Sequence, residues 1–511
     1  MSPSIVLATL NARYAHASLG LRYLRANLGA LREVCELRER VLGTAPATVV
    51  EALLAGRPRI IGLSVSIWNV EPLTEVVALI KSRAPDVVVV LGGPEVSHEV
   101  EAQRICAMAD YVVTGWGELT FARLARSILK GAPPAEKILP GEQPPLASLV
   151  FPYDEFSDHD LTHRRLYVEA SRGCPFKCAF CLSALDRTAW PFPTEPLLAE
   201  LRRLHARGAR RFTFVDRTFN LGIERASVIL GFFLERLRAD PEDALFLHVE
   251  LVPDHLPDGL KALLAAFPPG SLQLEIGVQT FDPMVQALIS RRQDNALTAA
   301  NLRWLRERTQ AHLHTDLIVG LPGEDLASFG AGFDRLVRLG PHEIQVGILK
   351  RLRGAPIIRH VERFELSFDP CPPYAVRSTD RIDATDMQRM VRFARFWDRV
   401  GNSGRFGRTL PLLLGDAPFA RFLDWSDGFH ARVGRDHGIP LEAFFEGLYA
   451  WLGDHGDAEV ARAALLADYA ACAARGRLSF GATHRPPGPR RKTKDSGATP
   501  SRQARHLEPG H

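Results

Sequence analysis

The sequence RGCPFKCAFC, from Arg172 to Cys181, holds three of the seven cysteines in this 511-residue chain. Cys174, Cys178 and Cys181 have the spacing CxxxCxxC. Three thiolates on one short loop can each bind one iron of a 4Fe-4S cluster, and without a fourth cysteine nearby one iron stays open to a substrate or cosubstrate. A zinc site is an alternative, although structural zinc takes four ligands and usually CxxC pairs. Three unrelated buried thiols are another alternative, and the tight spacing favours the cluster.

Strand and helix patterns alternate around this stretch, from residue 166 to residue 355. Short apolar runs predict six strands, and helical segments separate them. The strands are predicted at residues 166–171, 211–220, 244–251, 271–280, 312–324 and 343–349. The first of them leads directly into the cysteine loop. Such a repeat of strand and helix is typical of a parallel α/β domain.

Polar side chains cluster towards the ends of these predicted strands. Asp216 closes the second strand, Glu275 and Gln279 lie in the fourth, and Asp316 lies in the fifth. Glu275 and Gln279 point the same way if the strand is regular between them, because their separation is even. Charged groups buried inside such a domain are costly unless they bind something or pair with one another. These residues are therefore candidates for ligand binding, and structural pairing with basic side chains is the alternative.

A second α/β pattern, in residues 1–130, precedes the cysteine loop. Apolar runs such as residues 4–10 predict strands that alternate with helices, and hence a doubly wound parallel sheet whose ligands bind at the carboxyl ends of the strands. Those ends are small and polar, which lets a large planar ligand or a phosphate approach the backbone. The candidates are Asn11, Ser64, Ser66, Gly92, Gly93, Pro94, Glu95, Gly115, Gly117 and Glu118. No GxGxxG follows the first strand, so a nicotinamide or flavin dinucleotide is not indicated.

The cysteine loop resembles the signature of the radical S-adenosylmethionine (SAM) superfamily, in which an aromatic residue such as Phe180 precedes the last cysteine. The resemblance implies a partial (β/α)6 barrel with a 4Fe-4S cluster on Cys174, Cys178 and Cys181. It also implies that SAM binds the open iron through its amino and carboxylate groups, and that the backbone of Phe180 contacts adenine.

Residues 1–130 resemble a cobalamin-binding domain, because SxS, GGPE and GWGE occur in that order upstream of the cysteine loop. The segments VDRTFN, EIGVQTF and DLIVGLPGE resemble radical SAM proteins that carry such a domain. The resemblance therefore implies cobalamin at the strand ends named above. It also implies SAM contacts from Asp216, Glu275, Gln279 and Asp316, with Asp216 and Glu275 as candidates for the amine or ribose.

One motif of many cobalamin domains is absent. The histidine of DxHxxG is the lower axial ligand of cobalt in those domains. After its first predicted strand this chain reads NARYAHASLG, with His16 but with Tyr14 in place of the aspartate and Leu19 in place of the glycine. We therefore expect His16 to be an ordinary polar loop residue, and we expect cobalt to have no histidine below it.

The rest of the chain is predicted to comprise three further regions. Prolines at high density in residues 131–165 disfavour helix and interior strand, so we expect an extended linker that packs through its apolar residues. Residues 356–480 read as a helical domain with an aromatic core. The sequence PPYAV, from Pro372 to Val376, resembles cobalamin-dependent radical SAM proteins with a C-terminal domain of unassigned function. Residues 481–511 are basic and of low complexity, and we expect them to be disordered.

Charge and hydropathy limit the partners of the protein. The net charge is +4, but the basic residues 481–511 account for all of that surplus, so the body gives no sign of a nucleic-acid-binding surface. No apolar run reaches the length of a membrane span and the N-terminus has no signal-type pattern, so we expect a cytoplasmic protein that does not bind membranes. The other four cysteines are scattered and predict no disulfides.

These resemblances imply a cobalamin-dependent radical SAM enzyme. The expected reaction is methyl transfer to an unactivated carbon of a small-molecule or natural-product substrate, in which a 5'-deoxyadenosyl radical takes a hydrogen atom and methylcobalamin supplies the methyl group. An electron donor such as flavodoxin or ferredoxin would be a partner. A cobalamin-assisted rearrangement or cyclisation and a non-catalytic cobalamin sensor are the alternatives. An RNA methylthiotransferase is disfavoured, because that family carries a second cluster on three N-terminal cysteines and residues 1–130 contain only Cys35 and Cys106.

Overall fold

The computed structural model describes residues 3–472, 474, 476–481 and 499–507. The chain divides into two compact units, and each is formed by more than one segment. The first unit comprises Met1–Asp216, Lys350–Pro356 and Asp369–Ala375. The second unit comprises Arg217–Leu349, Ile357–Phe368 and Val376–His511. Within the described ranges, no helix has both the length and the apolar character needed to cross a bilayer.

A parallel sheet lies at the centre of the first unit. Its strands are β1 (Ile5–Asn11), β2 (Cys35–Val41), β3 (Ile60–Ser64), β4 (Val88–Gly92), β5 (Tyr111–Thr114) and β6 (Ile138–Pro140). The helices between them are α1 (Leu19–Ala26), α2 (Pro46–Leu54), α3 (Val70–Arg83), α4 (Arg104–Met108) and α5 (Glu118–Leu129). The strand order is β2-β1-β3-β4-β5-β6, and every adjacent pair is parallel.

Apolar residues on both faces of this sheet explain its helical covering. β1 is buried along its whole length, because its alternate residues meet different sets of helices. Val6, Ile61 and Val89 pack with α2, α3 and α4 on one face. Leu7 and Val90 pack with α1 and α5 on the other face. The doubly wound sheet predicted for the N-terminal region is therefore confirmed.

Residues 131–165 differ from the predicted extended linker. β6 pairs with β5 at the edge of the sheet, where a proline is tolerated because one side of the strand makes no ladder bonds. Two short 3-10 helices follow, and then α6 (Asp158–His163), which Ser157 caps through its side chain. Leu146 and Leu149 are buried, as expected of a packed segment. The segment is thus a partly helical connection with one edge strand.

The first unit also contains the elements around the cysteine loop. They are β7 (Leu166–Val168), β8 (Ser171–Gly173), β9 (Ala189–Pro191), α7 (Thr194–Ala206) and β10 (Arg211–Phe214). β7 and β10 are parallel, whereas β8 and β9 form an antiparallel pair on either side of the loop. The strand predicted at residues 166–171 is therefore interrupted at Glu169 and Ala170, just before the loop begins.

The second unit contains further parallel strands. They are β11 (Phe246–Leu251), β12 (Leu272–Gln279), β13 (His312–Val319) and β14 (Glu343–Ile348). The helices among them are α8 (Ile223–Ala239), α9 (Asp258–Ala265), α10 (Pro283–Leu288), α11 (Asn295–Arg308) and α12 (Leu326–Leu339). The four strands pair in sequence order, and each pair is parallel. Together with β7 and β10, all six strands predicted for residues 166–355 form.

The C-terminal part of the second unit is helical, as the sequence predicts. Two short strands come first, β15 (Ser367–Phe368) and β16 (Val376–Ser378). The helices that follow are α13 (Ala384–Arg399), α14 (Thr409–Leu414), α15 (Pro418–Val433), α16 (Leu441–His455) and α17 (Ala458–Ala471). The ring of Phe396 lies 6.0 Å from that of Trp425 and 5.2 Å from that of Phe429, between centroids. These aromatic residues form the core of the helical region.

The disorder expected of residues 481–511 is wrong for one segment. α18 (Ser501–His506) packs within the second unit. Arg502 lies 3.1 Å from the carboxylate of Glu343 and 2.8 Å from that of Asp398. Composition does not predict this helix, because the acidic residues that pair with its basic residues are distant in sequence. The other residues of the predicted tail, 482–498 and 508–511, lie outside the described residues.

Candidate cofactor site

The cysteine loop follows β8 directly. Cys174 and Cys178 are buried, Cys181 is half-buried, and all three are free thiols. The N–H of Cys181 donates to the carbonyl of Cys178 at 3.0 Å. Burial, with smaller contributions from Cys181 and Cys178, raises the pKa of the Cys174 thiol to about 11. A thiolate at Cys174 therefore needs a positive partner.

The chemistry of this donor set fits an iron–sulfur cluster. A bound metal deprotonates coordinating thiols and supplies the charge that neighbouring thiolates require. Gly173 sets the start of the loop, because it has φ +87° and a Cβ there would lie 2.7 Å from the ring of Trp190. The described part of the chain contains no group of three Cys, His, Asp or Glu side chains that is already arranged to bind a metal ion. Cys174, Cys178 and Cys181 thus match a cluster by type and spacing on one loop.

A cavity of about 480 Å³ opens in the first unit at the carboxyl ends of β3, β4 and β5. Most of the predicted cobalamin residues line it: Ser64, Gly92, Gly93, Pro94, Gly115, Gly117 and Glu118. The cavity continues between the sheet and helices α1 and α5, where Leu7, Leu24 and Phe121 form apolar walls. A deep apolar slot with polar groups near the strand ends suits a large ligand that has an apolar part.

Two glycine-containing loops shape the cavity. Gly93 has φ +109°, and a Cβ there would collide with the backbone of Val65, so this position requires glycine. The hydroxyl of Ser97 donates to the carbonyl of Gly93 at 2.8 Å and accepts from the N–H of Gly115 at 3.0 Å. The loops that follow β4 and β5 are therefore tied together beside the cavity.

Arg172, two residues before Cys174, joins the cysteine loop to this cavity. Its guanidinium lies 2.5 Å from the carboxylate of Glu118 and 2.7 Å from that of Glu169. It also lies over the rings of Tyr23 and Trp116, 4.4 and 5.0 Å from their centroids. Although burial opposes it, Glu169 and Glu118 hold the pKa of Arg172 above its ordinary value. All five side chains line the cavity, so the cavity and the cysteine loop share a wall within the first unit.

Three predicted cobalamin residues lie outside the cavity lining. Asn11 donates from Nδ2 to the carboxylate of Glu39 at 3.0 Å. The N–H of Ser66 donates to Oδ1 of Asn69 at 2.8 Å. Glu95 is buried and accepts hydrogen bonds from a later segment of the unit. The side chains of Asn11 and Glu95 and the backbone N–H of Ser66 thus make contacts within the fold. A position near a strand end does not reveal which way a side chain points.

His16 also lies outside the lining. Its Nδ1 is 2.6 Å from the hydroxyl of Tyr167, and the two rings are stacked with centroids 6.2 Å apart. Burial, together with the nearby Arg165, lowers the pKa of His16, so the imidazole is neutral at pH 7. This environment agrees with an ordinary loop histidine, and the absence of a histidine below cobalt stays a prediction.

The sequence does not predict several residues of the cavity wall. They are Tyr23, Ser97, His98, Trp116, Glu169 and Arg172. Trp116 lies inside the GWGE segment, and Ser97 and His98 follow GGPE closely. Their closeness in sequence to these segments is a signal that could have predicted them. Glu169 and Arg172 occur much later in the chain and reach the cavity only through the fold.

Two of the predicted SAM residues belong to the first unit. Phe180 is half-buried within the cysteine loop. Asp216 is buried, and its carboxylate accepts from the N–H of Ala170 at 2.9 Å and from the hydroxyl of Ser171 at 2.5 Å. Asp216 therefore holds the chain where it enters the loop. Contact with SAM stays a prediction for both residues.

The other three predicted SAM residues, Glu275, Gln279 and Asp316, lie on neighbouring strands of the second unit. Glu275 lies 3.0 Å from Nε2 of His248, and although burial opposes it, His248 holds the pKa of Glu275 below its ordinary value. Burial raises the pKa of Asp316, and the imidazole of His314, 3.4 Å away, opposes this shift. The pKa values of these two carboxyl groups are therefore shifted in opposite directions.

β12 is not regular where these residues lie. Its ladder with β13 shifts register between Gly277 and Gln279, and Gln279 has φ +71°. A Cβ at Gly277 would collide with the side chain of Gln279. The regular strand assumed for Glu275 and Gln279 is therefore absent, although both side chains are half-buried. Their contact with SAM stays a prediction.

Family models match the two regions that form these features. Residues 5–125 match the B12 binding domain, and residues 168–336 match the Radical SAM superfamily. The first range contains the glycine loops of the cavity, and the second contains the cysteine loop.

Among curated proteins, the chain is similar to TokK of Streptomyces tokunonensis, a cobalamin-dependent radical SAM methyltransferase. The two are 26% identical over 426 residues, which are 76% of this chain and 61% of TokK. The chain spans about half the length of other curated relatives that it matches.

Two solved structures resemble the fold. The radical SAM methyltransferase TsrM from Kitasatospora setae, solved with cobalamin and a [4Fe-4S] cluster bound, has a TM-score of 0.55 and 20% identity, covering 72% of this chain and 76% of TsrM. The cobalamin-dependent SAM radical enzyme OxsB, solved with aqua-cobalamin, has a TM-score of 0.59 and 14% identity, covering 92% of this chain and 80% of OxsB. At these identities the likeness shows the fold. The chain therefore combines a region that matches the B12 binding domain, a region that matches the Radical SAM superfamily and a helical C-terminal region.

Proposed function

We propose that this protein is a cobalamin-dependent radical SAM methyltransferase that acts on an unactivated carbon of a small molecule. The observation that carries the proposal is the position of Arg172, which belongs to the cysteine loop and lines the cavity of the B12-binding domain. Cobalamin in this cavity and a cluster on this loop would be held by one compact unit. TokK and TsrM, both named as radical SAM methyltransferases, favour methyl transfer over a rearrangement.

The cavity would hold cobalamin by shape and by backbone contacts. Gly92, Gly93 and Gly115 allow a large ligand to approach the main chain closely. The apolar slot beside Leu24 and Phe121 would take an aromatic part of the ligand and exclude water from it. When bound, cobalamin supplies the transferred methyl group, and the cluster with SAM supplies the radical that activates the substrate.

The cysteine loop would hold the cluster through Cys174, Cys178 and Cys181, and would leave one iron for SAM. Asp216 fixes the entrance to this loop, and Arg172 fixes its first residue against Glu118. These contacts would fix the position of the cluster, and a radical step depends on the placement of the reacting groups.

The second unit has carboxylates of its own that suit a cationic or hydroxyl-bearing ligand. Glu275 and Asp316 lie among histidines on neighbouring strands, and a carboxylate that His248 keeps ionised suits an ammonium group or a ribose hydroxyl. We expect the substrate to be a small molecule, and we expect an electron donor such as flavodoxin or ferredoxin to reduce the cluster.

Product analysis after anaerobic reconstitution tests this function. The protein is supplied with iron, sulfide, cobalamin, SAM and a low-potential reductant, and the products are quantified by mass spectrometry. We expect 5'-deoxyadenosine and S-adenosylhomocysteine together. The first reports radical formation, and the second reports that SAM has donated a methyl group. Deoxyadenosine alone would instead support a cobalamin-assisted rearrangement or cyclisation. Negligible iron and sulfide with neither product would support a non-catalytic sensor.

Cysteine variants provide the matched control for this experiment. Cys174→Ala removes one proposed cluster ligand, and we expect it to abolish formation of 5'-deoxyadenosine and to lower the iron content. Cys371→Ala removes an exposed thiol outside the loop, and we expect it to leave both quantities unchanged. Equal activity of the two variants would contradict the cluster assignment.

A further inference from the structure

His98 is a cavity residue that lies outside the sequence segments SxS, GGPE and GWGE. It lies in the loop after β4, is half-buried, and lines the cavity. Its carbonyl accepts from Nε2 of Gln103 at 2.8 Å, which fixes the backbone at this position. No group of the described residues forms a hydrogen bond or ion pair with its imidazole. The ring is therefore available to a ligand.

A later segment of the first unit holds the loop that carries His98. Glu95 accepts from Nε of Arg353 at 2.9 Å and from the hydroxyl of Tyr374 at 2.7 Å. Nη1 of Arg353 also lies 2.9 Å from the carboxylate of Glu99. Acidic residues on both sides of His98 are thus bound to the same guanidinium, and the loop has little freedom to turn the imidazole away.

Gly354 provides the surface against which the imidazole packs. A Cβ at Gly354 would fall among the ring atoms Cγ, Cδ2 and Nδ1 of His98. Gly354 has φ +81°, a conformation that suits glycine. Nε2 is the ring nitrogen farther from this backbone, so it is the nitrogen better placed to meet a ligand.

The other charged side chains of the cavity leave His98 as its available base. Arg172 is already bound by Glu118 and Glu169. The N-terminus of α5, which would otherwise favour an anion, begins with the carboxylate of Glu118. Of the described residues that line the cavity, His98 is the one basic side chain without an acidic partner.

We propose that His98 binds the phosphodiester in the nucleotide loop of cobalamin by donating an N–H from its imidazole. The phosphodiester is the anionic group among the side groups of cobalamin, and a hydrogen bond to it is charge-assisted. This inference rests on the proposed function only in that cobalamin is the ligand. It needs neither SAM cleavage nor methyl transfer, so binding alone can test it.

Corrinoid titrations of the full-length protein provide that test. Hydroxocobalamin carries the nucleotide loop, whereas cobinamide lacks the phosphodiester, the ribose and the benzimidazole. The Kd of each is measured for the wild type and His98→Ala from the change in visible absorption. We expect the variant to bind cobalamin about tenfold more weakly, the effect of one lost hydrogen bond to a charged group. Its Kd for cobinamide should stay the same, and its Kd for cobinamide phosphate should rise as that for cobalamin does.

Two further variants make the result specific to the imidazole. Gly354→Ala keeps the imidazole but displaces it, so we expect weaker binding of cobalamin with an unchanged Kd for cobinamide. His437→Ala removes an exposed imidazole in the second unit and should change no Kd. Circular dichroism of each variant checks that the fold is retained.

Several outcomes would overturn the assignment. Equal weakening of cobalamin and cobinamide by His98→Ala would place the imidazole against the corrin or the cobalt, and loss of a nitrogen splitting from the cob(II)alamin EPR spectrum would identify the cobalt. An unchanged Kd for every corrinoid would exclude any contact. Failure of the wild type to bind any corrinoid would overturn the proposed function as well, whereas the first two outcomes would leave that function intact.

Discussion

The hydroxyl of Tyr374 donates to a carboxylate oxygen of Glu95 at 2.7 Å, across 279 positions of the chain. Both side chains are buried, and Arg353 donates to the same oxygen at 2.9 Å. Glu95 directly follows Pro94 of the cavity wall. The contact gives Tyr374, the tyrosine of PPYAV, a physical role within the first unit, because it holds a loop of the B12-binding domain.

Tyr374→Phe should destabilise the protein and loosen that loop. The substitution leaves a buried carboxylate with one donor fewer, at a cost of about 1–2 kcal/mol in the free energy of unfolding. We expect a lower urea midpoint and a higher Kd for cobalamin. Tyr14→Phe is the control, because its hydroxyl is exposed and bonds only at the surface to His159. Identical midpoints for the two variants would contradict the role of Tyr374.

Arg172→Ala should have a much larger effect. It leaves the carboxylates of Glu118 and Glu169 without their shared partner in a buried site, and the loss of one member of such a pair costs on the order of 3–5 kcal/mol. Urea unfolding should show this loss, and corrinoid binding should fall with it. Arg123→Ala breaks an exposed pair with Glu142 and should cost less than about 1 kcal/mol. A similar cost for both arginines would argue against a buried link at Arg172.

Gly93→Ala should weaken corrinoid binding by at least about tenfold. Its Cβ would meet the backbone of Val65 at a positive φ, so the loop beside the cavity must move, and a displaced loop of this kind costs at least about 1–2 kcal/mol. Spectrophotometric titration with hydroxocobalamin measures the effect. Gly231→Ala in α8 meets no neighbour and should stabilise the protein by about 0.5–1 kcal/mol without changing the Kd.

Glu324 should make stability depend on pH. Burial raises the pKa of Glu324 from 4.5 to about 8, although the hydroxyl of Thr280 donates to its carboxylate. Between these pH values the folded protein keeps a proton that the unfolded chain has lost, so stability falls as pH rises through this window.

Comparison with Glu324→Gln isolates this contribution. Across that window the free energy of unfolding of the wild type should fall relative to the variant by about 1.4 kcal/mol per pH unit. Urea unfolding at several pH values between 5 and 8 measures the difference. Parallel pH profiles for the two proteins would show that Glu324 is ionised in the fold.

The architecture was predictable from the sequence because its signals are local. The apolar residues 4–10 form the buried strand β1, and the glycines at Gly92 and Gly115 mark the strand ends that border the cavity. Strand and helix alternation likewise predicted both parallel sheets. Such patterns depend on neighbours in sequence, which a single chain displays directly.

The partners of polar side chains were not predictable in the same way. Asn11 and Ser66 share the residue types and positions of ligand contacts, yet Asn11 bonds to Glu39 and the backbone of Ser66 bonds to Asn69. Arg172 reaches Glu118 only because the fold brings together segments that are far apart. The helix formed by Ser501–His506 was missed for the same reason, since its acidic partners lie outside its own segment.

The first unit is formed by separate segments of the chain, so its parts are synthesised at different times. Glu95 leaves the ribosome 279 residues before Tyr374 does. At roughly 5–20 residues per second, the loop after β4 waits on the order of 15–55 s for this partner. A nascent chain can form the parallel sheet of the B12-binding domain long before Arg353 and Tyr374 are available to hold the loop beside its cavity. We therefore expect the chain to bind cobalamin at full affinity only after its radical SAM region has been translated.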